Sequence, residues 1–142
     1  LIDHGFLLNL LGIGDSTNLI VKELLVANTA DLVDKGSLTE MVAGLELLKY
    51  MSSNERHDLY YWQNQARGTV SEVDYILSRG IDIVPMEVKS GLRGSMASLY
   101  VFMEKEHIKY AIRCSLENFG EFVSPKGKKI IVNPLYAVSN LF

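Results

Sequence analysis

Two carboxylates and a lysine are spaced so that they can meet across two neighbouring predicted strands. Asp74 lies in the first strand, at 72–77, and Glu87 and Lys89 lie in the second, at 83–89. Because alternate residues of a strand share a face, Glu87 and Lys89 are predicted to point the same way. If the strands form a hairpin with a loop of about four residues, Asp74 stands opposite Glu87, and opposed Cβ atoms lie about 4.5–5.5 Å apart.

This arrangement predicts a metal-dependent hydrolytic site. Two carboxylates that close raise each other's pKa unless a cation separates them. Mg²⁺ is the usual cation of an all-oxygen site, in which one or two carboxylates are joined by waters and phosphate oxygens. Asp74 and Glu87 are therefore the candidate metal ligands, and Lys89 could orient the attacking water or stabilise charge on a phosphate. The alternative is that Glu87 and Lys89 are simply two solvated charges at a strand end.

Glu40 is a fourth candidate, on a helix predicted from Ser37 to about residue 51. It shares an apolar helical stripe with Ala43 and Leu47, where an acid is unusual. One interpretation is a capping box, in which Glu40 reaches back to the backbone N–H of Ser37. The other is that Glu40 points over the sheet toward the strand carboxylates and assists catalysis. The residues alone leave both open.

The surrounding pattern predicts an α/β domain with a mixed central sheet flanked by helices, one domain over residues 1–142. The predicted helices are 15–29, 37–51 and 95–106, and the predicted strands are 57–63, 72–77, 83–89, 109–114 and 129–132. Residues 63–68 are predicted to be a loop. The aromatic run 60–62 is predicted to be core rather than a surface for stacking on bases.

Composition indicates an ordinary globular protein, with 48% hydrophobic and 22% charged residues in a chain of 142. No apolar stretch approaches the roughly 20 residues of a membrane-spanning helix, and no signal peptide is recognisable, so we expect a cytoplasmic protein without membrane contact. The single cysteine, Cys114, excludes a disulfide framework and is predicted to be a small buried hydrophobe. The net charge of −3 argues against a simple DNA-binding domain, and the basic cluster 126–129 is predicted to be a solvated turn between strands.

The acid at 40, the strand Asp at 74 and the Glu-x-Lys at 87–89 together resemble the signature of the PD-(D/E)XK nuclease superfamily, which includes archaeal Holliday-junction resolvases. Over nearly its whole length the chain is also similar to the domain of unknown function that follows the ATPase core in many prokaryotic AAA-type ATPases. The segments that carry this second resemblance are 2–7, 36–43, 59–62, 72–75, 85–90 and 133–136. Mild departures are Asp3-His4 before Gly5, where a Thr often precedes the Gly, and Tyr75, where Phe is usual.

The resemblance to the nucleases implies a restriction-endonuclease-like core, and the resemblance to the ATPase-linked domain gives Glu40 weight as a site residue. The expected cofactor is the Mg²⁺ predicted from the paired carboxylates, and the expected partner is DNA. The resemblance to the ATPase-linked domain also implies an upstream ATP-binding domain, and these residues themselves contain no phosphate-binding loop. The sequence lacks an initiating Met, so we expect it to be part of a longer chain. The resemblance implies that it is the C-terminal part of an ATPase that can oligomerise through its ATP-binding domain. The alternative is a catalytically inactive module of the same ATPase, serving interaction or nucleic-acid docking.

Overall fold

The structure, a computed structural model, describes residues 32–50, 58–66, 69–91 and 94–141. The helix predicted at 15–29 lies outside these residues. The elements are α1 (Leu32–Tyr50), β1 (Tyr60–Ala66), β2 (Thr69–Arg79), β3 (Asp82–Val88), α2 (Ala97–Lys105), β4 (Tyr110–Ser115), β5 (Gly120–Val123), β6 (Lys129–Pro134) and a 3₁₀ helix (Leu135–Leu141).

The strands in the described part of the chain form one mixed sheet in the order β1-β2-β3-β4-β6-β5. β1, β2 and β3 form an antiparallel meander, β3 and β6 both run parallel to β4, and β5 returns antiparallel to β6. The parallel pair β3–β4 requires a crossover, which α2 supplies. The predicted α/β class, with a mixed sheet flanked by helices, is confirmed.

Apolar residues fill both faces of the sheet. On one face, Val84, Met86 and Val88 of β3 pack with Ala43 and Leu47 of α1. On the other face, the cluster around α2 consists of Val73, Met96, Leu99, Phe102, Met103, Ile108, Ala111 and Ile130. Cys114 is fully buried as predicted, and burial raises the pKa of its thiol to about 12. Each helix therefore fixes one face of the sheet.

The start of α1 corrects a prediction. The helix was expected to begin at Ser37, but it begins at Leu32, so Ser37 lies inside it. An N-cap residue flanks the first helical turn, so the capping-box interpretation of Glu40 is wrong. The apolar stripe identified which residues of the helix pack, and it did not determine where the helix starts.

The first strand is also displaced from its prediction. β1 spans Tyr60–Ala66, so residues 63–66, predicted to be a loop, pair with β2. Tyr60 and Tyr61 were predicted to be core, but they are 63% and 65% exposed because β1 is an edge strand. Trp62 is partly buried and packs edge-on against Phe102, with ring centroids 5.1 Å apart.

The C-terminal half follows the prediction more closely. The basic cluster 126–129 does lie at the turn between two strands, β5 and β6. The first of these, β5, was not predicted, because it has four exposed residues and no apolar alternation. Among the described residues, no helix is both long enough and apolar enough to cross a membrane.

Candidate active site

The β2–β3 hairpin sets the relative positions of the strand residues. Its register pairs Tyr75 with Met86 and closes in a two-residue turn that begins at Gly80. Gly80 has a φ of 63°, and a positive φ at the first turn position favours glycine. Continued by one residue beyond the Tyr75–Met86 pair, the register puts Asp74 level with Glu87, the position that the sequence predicts. At the turn, the pairing goes one step further than expected and shortens the loop.

A β-bulge in β2 lies at the candidate site. Tyr60 pairs with Ile76, but Trp62 pairs with Val73, so β2 has one extra residue between these two pairs. Asp74 lies within that bulge. Bulges bend a strand and redirect side chains, and they are over-represented beside active sites. The bulge therefore accounts for an Asp74 side chain that turns into the gap between β2 and β3.

The Asp74 carboxylate takes the place of a backbone partner at the end of the hairpin. Its Oδ2 accepts a hydrogen bond from the Val88 N–H at 2.6 Å. Burial raises the pKa of Asp74 and the charge of Glu72 adds to this, against the lowering effects of the Val88 N–H and of Lys89. Asp74 is thus a partly buried carboxylate whose negative charge is only partly compensated.

Glu87 is the most constrained of the candidates. It is 5% exposed, and its Oε1 accepts a hydrogen bond from Lys89 Nζ at 2.5 Å. Its Oε2 is buried and has no hydrogen-bond partner among the described residues. Burial, and then the charge of Asp74, raises the pKa of Glu87 to about 7 against the lowering effect of Lys89. A buried oxygen without a donor is costly, and either a proton or a cation would relieve it.

Lys89 is held at Glu87 from two sides. Its backbone N–H donates to the carbonyl of Cys114 at 2.8 Å, which extends the β3–β4 pairing. Its aliphatic stem lies against Gly94, where an added Cβ would come within 2.8 Å of Lys89 Cδ. Glycine at 94 therefore leaves the space that the lysine stem occupies. The prediction that Glu87 and Lys89 share a side is confirmed by their ion pair.

Glu40 lies beside the strand carboxylates. Burial raises its pKa, followed by the charges of Asp74 and Glu72, and Lys89 acts in the opposite direction. The Tyr75 hydroxyl donates to the backbone carbonyl of Glu40 at 2.8 Å, which ties α1 to β2 at this point. The structure thus brings Glu40 to the same end of the hairpin as the other candidates.

A cavity of about 190 Å³ opens where α1 meets β1 and β2. Its lining residues are Glu40, Leu59, Tyr60, Tyr61, Glu72, Asp74 and Tyr75. Glu72 was not singled out from the sequence, although it stands two residues before Asp74 in the same strand and the strand period could have indicated it. Three acids therefore line one small cavity.

Arg113 is a second residue that the sequence reasoning missed. It is the register partner of Glu87 on the neighbouring strand β4 and is buried. Its Nε donates to Glu117 Oε2 at 2.6 Å, and Ser115 Oγ donates to the same oxygen at 2.9 Å. Both bonds lower the pKa of Glu117. An arginine within the otherwise apolar run 110–114 was the signal that could have identified it.

The donor chemistry suits a hard cation only in part. Asp74 and Glu87 offer carboxylate oxygens, the ligands that Mg²⁺ prefers, and one of these oxygens lacks a partner. Within residues 32–50, 58–66, 69–91 and 94–141, no three His, Cys, Asp or Glu side chains are grouped so that they could hold a metal ion. Water and substrate phosphate would have to supply the remaining ligands, as they commonly do for Mg²⁺.

Fold and site together define an α/β domain with an acidic cluster and one lysine at the end of a central hairpin. Comparison with protein families matches residues 35–138 to the family described as a domain of unknown function (DUF4143). The match covers most of the chain, and the protein belongs to this family. Neither the curated proteins nor the solved structures contain a match to the chain.

Proposed function

We propose that this domain hydrolyses phosphodiester bonds of DNA with the help of Mg²⁺. The observation that carries the proposal is the buried Glu87 carboxylate, with one oxygen on Lys89 and the other without a partner, beside a second carboxylate, Asp74. Asp74 and Glu40 both have raised pKa values and line one cavity, and perturbed ionisable groups that cluster at a cavity are a mark of functional sites. The order of helix acid, strand Asp and Glu-x-Lys, similar to PD-(D/E)XK nucleases, further supports a restriction-endonuclease-like core.

Each site residue has a role in this proposal. Asp74 and Glu87 would hold the ion, and Mg²⁺ bound there would supply positive charge to the scissile phosphate and lower the pKa of the attacking water. Lys89 would position that water or stabilise charge developing on the phosphate. Glu40, which lines the same cavity as Asp74, would assist by accepting a proton.

The setting of the domain is part of the proposal. We infer that it is the C-terminal domain of a cytoplasmic prokaryotic AAA-type ATPase, which supplies ATP binding and a route to oligomers. The similarity of the sequence to the domain that follows such ATPase cores supports this setting. ATP hydrolysis would then lie outside the residues described above.

Calorimetric titration of Mg²⁺ and Mn²⁺ tests the metal site. The wild-type chain is expected to bind both ions, and Asp74→Asn and Glu87→Gln should each weaken binding by at least about tenfold, because each removes one anionic ligand. Glu46→Gln is the matched control, since Glu46 is a solvent-facing helix acid paired with Lys49. Cleavage of DNA should follow the same order among the variants.

Two results would contradict the proposal. One is a wild type that binds neither ion, and the other is metal affinity that persists unchanged in both site variants. Either result would favour the second candidate function, a catalytically inactive interaction module. That candidate has its own support, because β5 is an edge strand whose four residues are all exposed and include Phe122 and Val123.

A further inference from the structure

A second cavity, of about 510 Å³, lies between the C-terminal half of α2 and the turn that joins β5 to β6. Its lining residues are Tyr100, Val101, Met103, Glu104, Lys105, Ser124, Pro125, Lys126 and Lys128. The volume falls within the range of about 300–1,000 Å³ typical of small-molecule sites. None of these residues belongs to the candidate active site.

The walls and the rim of this cavity differ in chemistry. The walls are mainly apolar, and Val101 is 46% exposed although it is a large aliphatic residue. The rim carries three lysines, at 105, 126 and 128, and one acid, Glu104. Lys126 Nζ forms an ion pair with Glu104 at 3.5 Å, and Lys105 Nζ lies 5.6 Å from the centroid of the Trp62 ring. An apolar interior with an excess of positive charge at its mouth favours an anion that has a flat or apolar part.

The turn that presents the lysines is held by its own hydrogen bonds. The Ser124 N–H donates to the carbonyl of Lys128 at 2.8 Å, and the Lys128 N–H returns a bond to Ser124 Oγ at 3.0 Å. Gly127 completes the turn with a φ of 80°. Lys126 and Lys128 therefore project from a preformed backbone, which reduces the ordering cost of binding.

The cavity and the candidate active site lie along the same helix. The segment that leads into α2 contacts Lys89 at Gly94, and the cavity lies at the other end of the helix, around Lys105. At about 1.5 Å per residue, the nine residues of α2 span roughly 14 Å. That distance corresponds to about four phosphates at the 3.4 Å rise of a stacked strand.

We propose that this cavity binds one nucleotide of a single-stranded nucleic acid whose neighbouring phosphates reach toward Lys89. The base would lie against Tyr100 and the apolar wall, and the phosphate would pair with Lys126 and Lys128. An unpaired base is required because only an unstacked base can enter an apolar cavity and stack on an aromatic ring. The inference rests on the proposed function and names its substrate class as single-stranded.

Fluorescence anisotropy with a labelled 12-nucleotide oligothymidylate tests the inference on the full chain, in EDTA so that metal binding and cleavage do not contribute. Lys126→Ala/Lys128→Ala is expected to weaken binding by roughly tenfold and to reduce the salt dependence by about one to two phosphates. The control Lys49→Ala/Lys109→Ala removes the same charge from two exposed lysines that also form ion pairs outside the cavity, and its affinity should not change. A blunt duplex of equal length should bind at least about fivefold more weakly than the single strand.

The inference is overturned if the cavity variant binds the strand as tightly as the control does, if the duplex binds as well as the single strand, or if no strand binds. Thymidine monophosphate serves as a competitor, and tight binding of this mononucleotide with no strand binding would assign the cavity to a free nucleotide instead. Asp74→Asn separates the two proposals, because it should weaken metal binding by at least about tenfold and still bind the strand in EDTA. Lysine-dependent strand binding without metal affinity in the wild type would retain the strand site and reject the nuclease.

Discussion

Glu87 is a carboxylic acid that the fold keeps from water while giving it few donors. Burial, together with the charges of Asp74 and Glu40, raises its pKa from 4.5 to about 7, and Lys89 only partly offsets this. The raised pKa means that the folded protein favours the protonated form. The free energy of unfolding should therefore fall as pH rises from about 4.5 to about 7, by up to about 3 kcal/mol at 1.4 kcal/mol per pKa unit.

Glu87→Gln should remove this dependence, because glutamine is neutral at every pH. In the absence of divalent ions, we expect the variant to be more stable than the wild type by about 1–3 kcal/mol at pH 8 and to show little advantage near pH 4.5. Urea unfolding at a series of pH values measures the difference. Asp74 and Glu40 have pKa shifts in the same direction, so a smaller slope should remain.

Glu46→Gln provides the comparison, since this acid is on the solvent-facing side of α1 and should not alter the slope. A wild type whose stability is flat between pH 5 and pH 8 would show that Glu87 ionises without cost.

The sequence predicted the candidate residues that depend on strand periodicity and missed those that depend on the neighbouring strand. Glu87 and Lys89 share a side because they are two residues apart, and Asp74 stands level with Glu87 through a local hairpin. Arg113 is placed beside Glu87 by a parallel pairing across 26 residues of chain, which no local pattern contains. Whether Glu40 belongs to a helix cap depended on where α1 begins. The helical residues before Ser37 gave no signal in the sequence that the helix starts ahead of Ser37.

At the scale of elements, α1 is fitted closely to β2 where Gly44 meets Tyr75. An added Cβ at Gly44 would lie 2.5 Å from Tyr75 Oη, the same hydroxyl that donates to the carbonyl of Glu40. Gly44 therefore allows the helix to approach the sheet and helps to place Glu40 at the site.

Gly44→Ala is expected to destabilise the protein by about 1–2 kcal/mol. Alanine gains up to about 1 kcal/mol in a helix, but overpacking a filled contact costs about 1–3 kcal/mol. Gly36→Ala, in the same helix with no atom within 4 Å of the new Cβ, should instead stabilise it. Thermal and urea unfolding of both variants give the two signs, and stabilisation by Gly44→Ala would show that α1 and β2 are not packed in this way.

Element types were easier to predict than element ends. α2 and β6 carry clear apolar periodicity and were found within two residues, whereas β1 was displaced by three residues at each end. β1 is an edge strand, so its aromatic residues are not required to face a core, and its polar residues 63–65 pair like any others. β5 has no buried residue, so it forms through backbone pairing with β6, which side-chain patterns do not report.

At the scale of the whole molecule, the sheet formed by the described residues ends in two strands, β1 and β5, each of which pairs with a described strand on one side only. β5 is one edge, and its Val123 is 66% exposed. Exposed edge strands with apolar residues can pair with another chain. If the domain works as an interaction module, this edge is its contact surface.

That alternative predicts self-association that Val123→Lys reduces, because a lysine on an edge strand opposes pairing with a second copy. Sedimentation velocity over a range of protein concentrations measures the dimer fraction. Val70→Lys is the control, since Val70 is similarly exposed but lies in the internal strand β2. A wild type that stays monomeric at every concentration would argue against the β5 edge as a contact surface.

The length of the tight turn at Gly80 determines which face of the sheet each side chain of β3 points to, and so it determines where Glu87 lies. In β3, the even-numbered residues Val84, Met86 and Val88 fill the core under α1, so the odd-numbered Glu87 belongs to the alternate set. Adding one residue to the turn would exchange the two sets, so Val84, Met86 and Val88 would leave the face that packs against α1 and Glu87 would enter it. The packing of this face therefore preserves the orientation of Glu87 whether or not Glu87 takes part in a reaction.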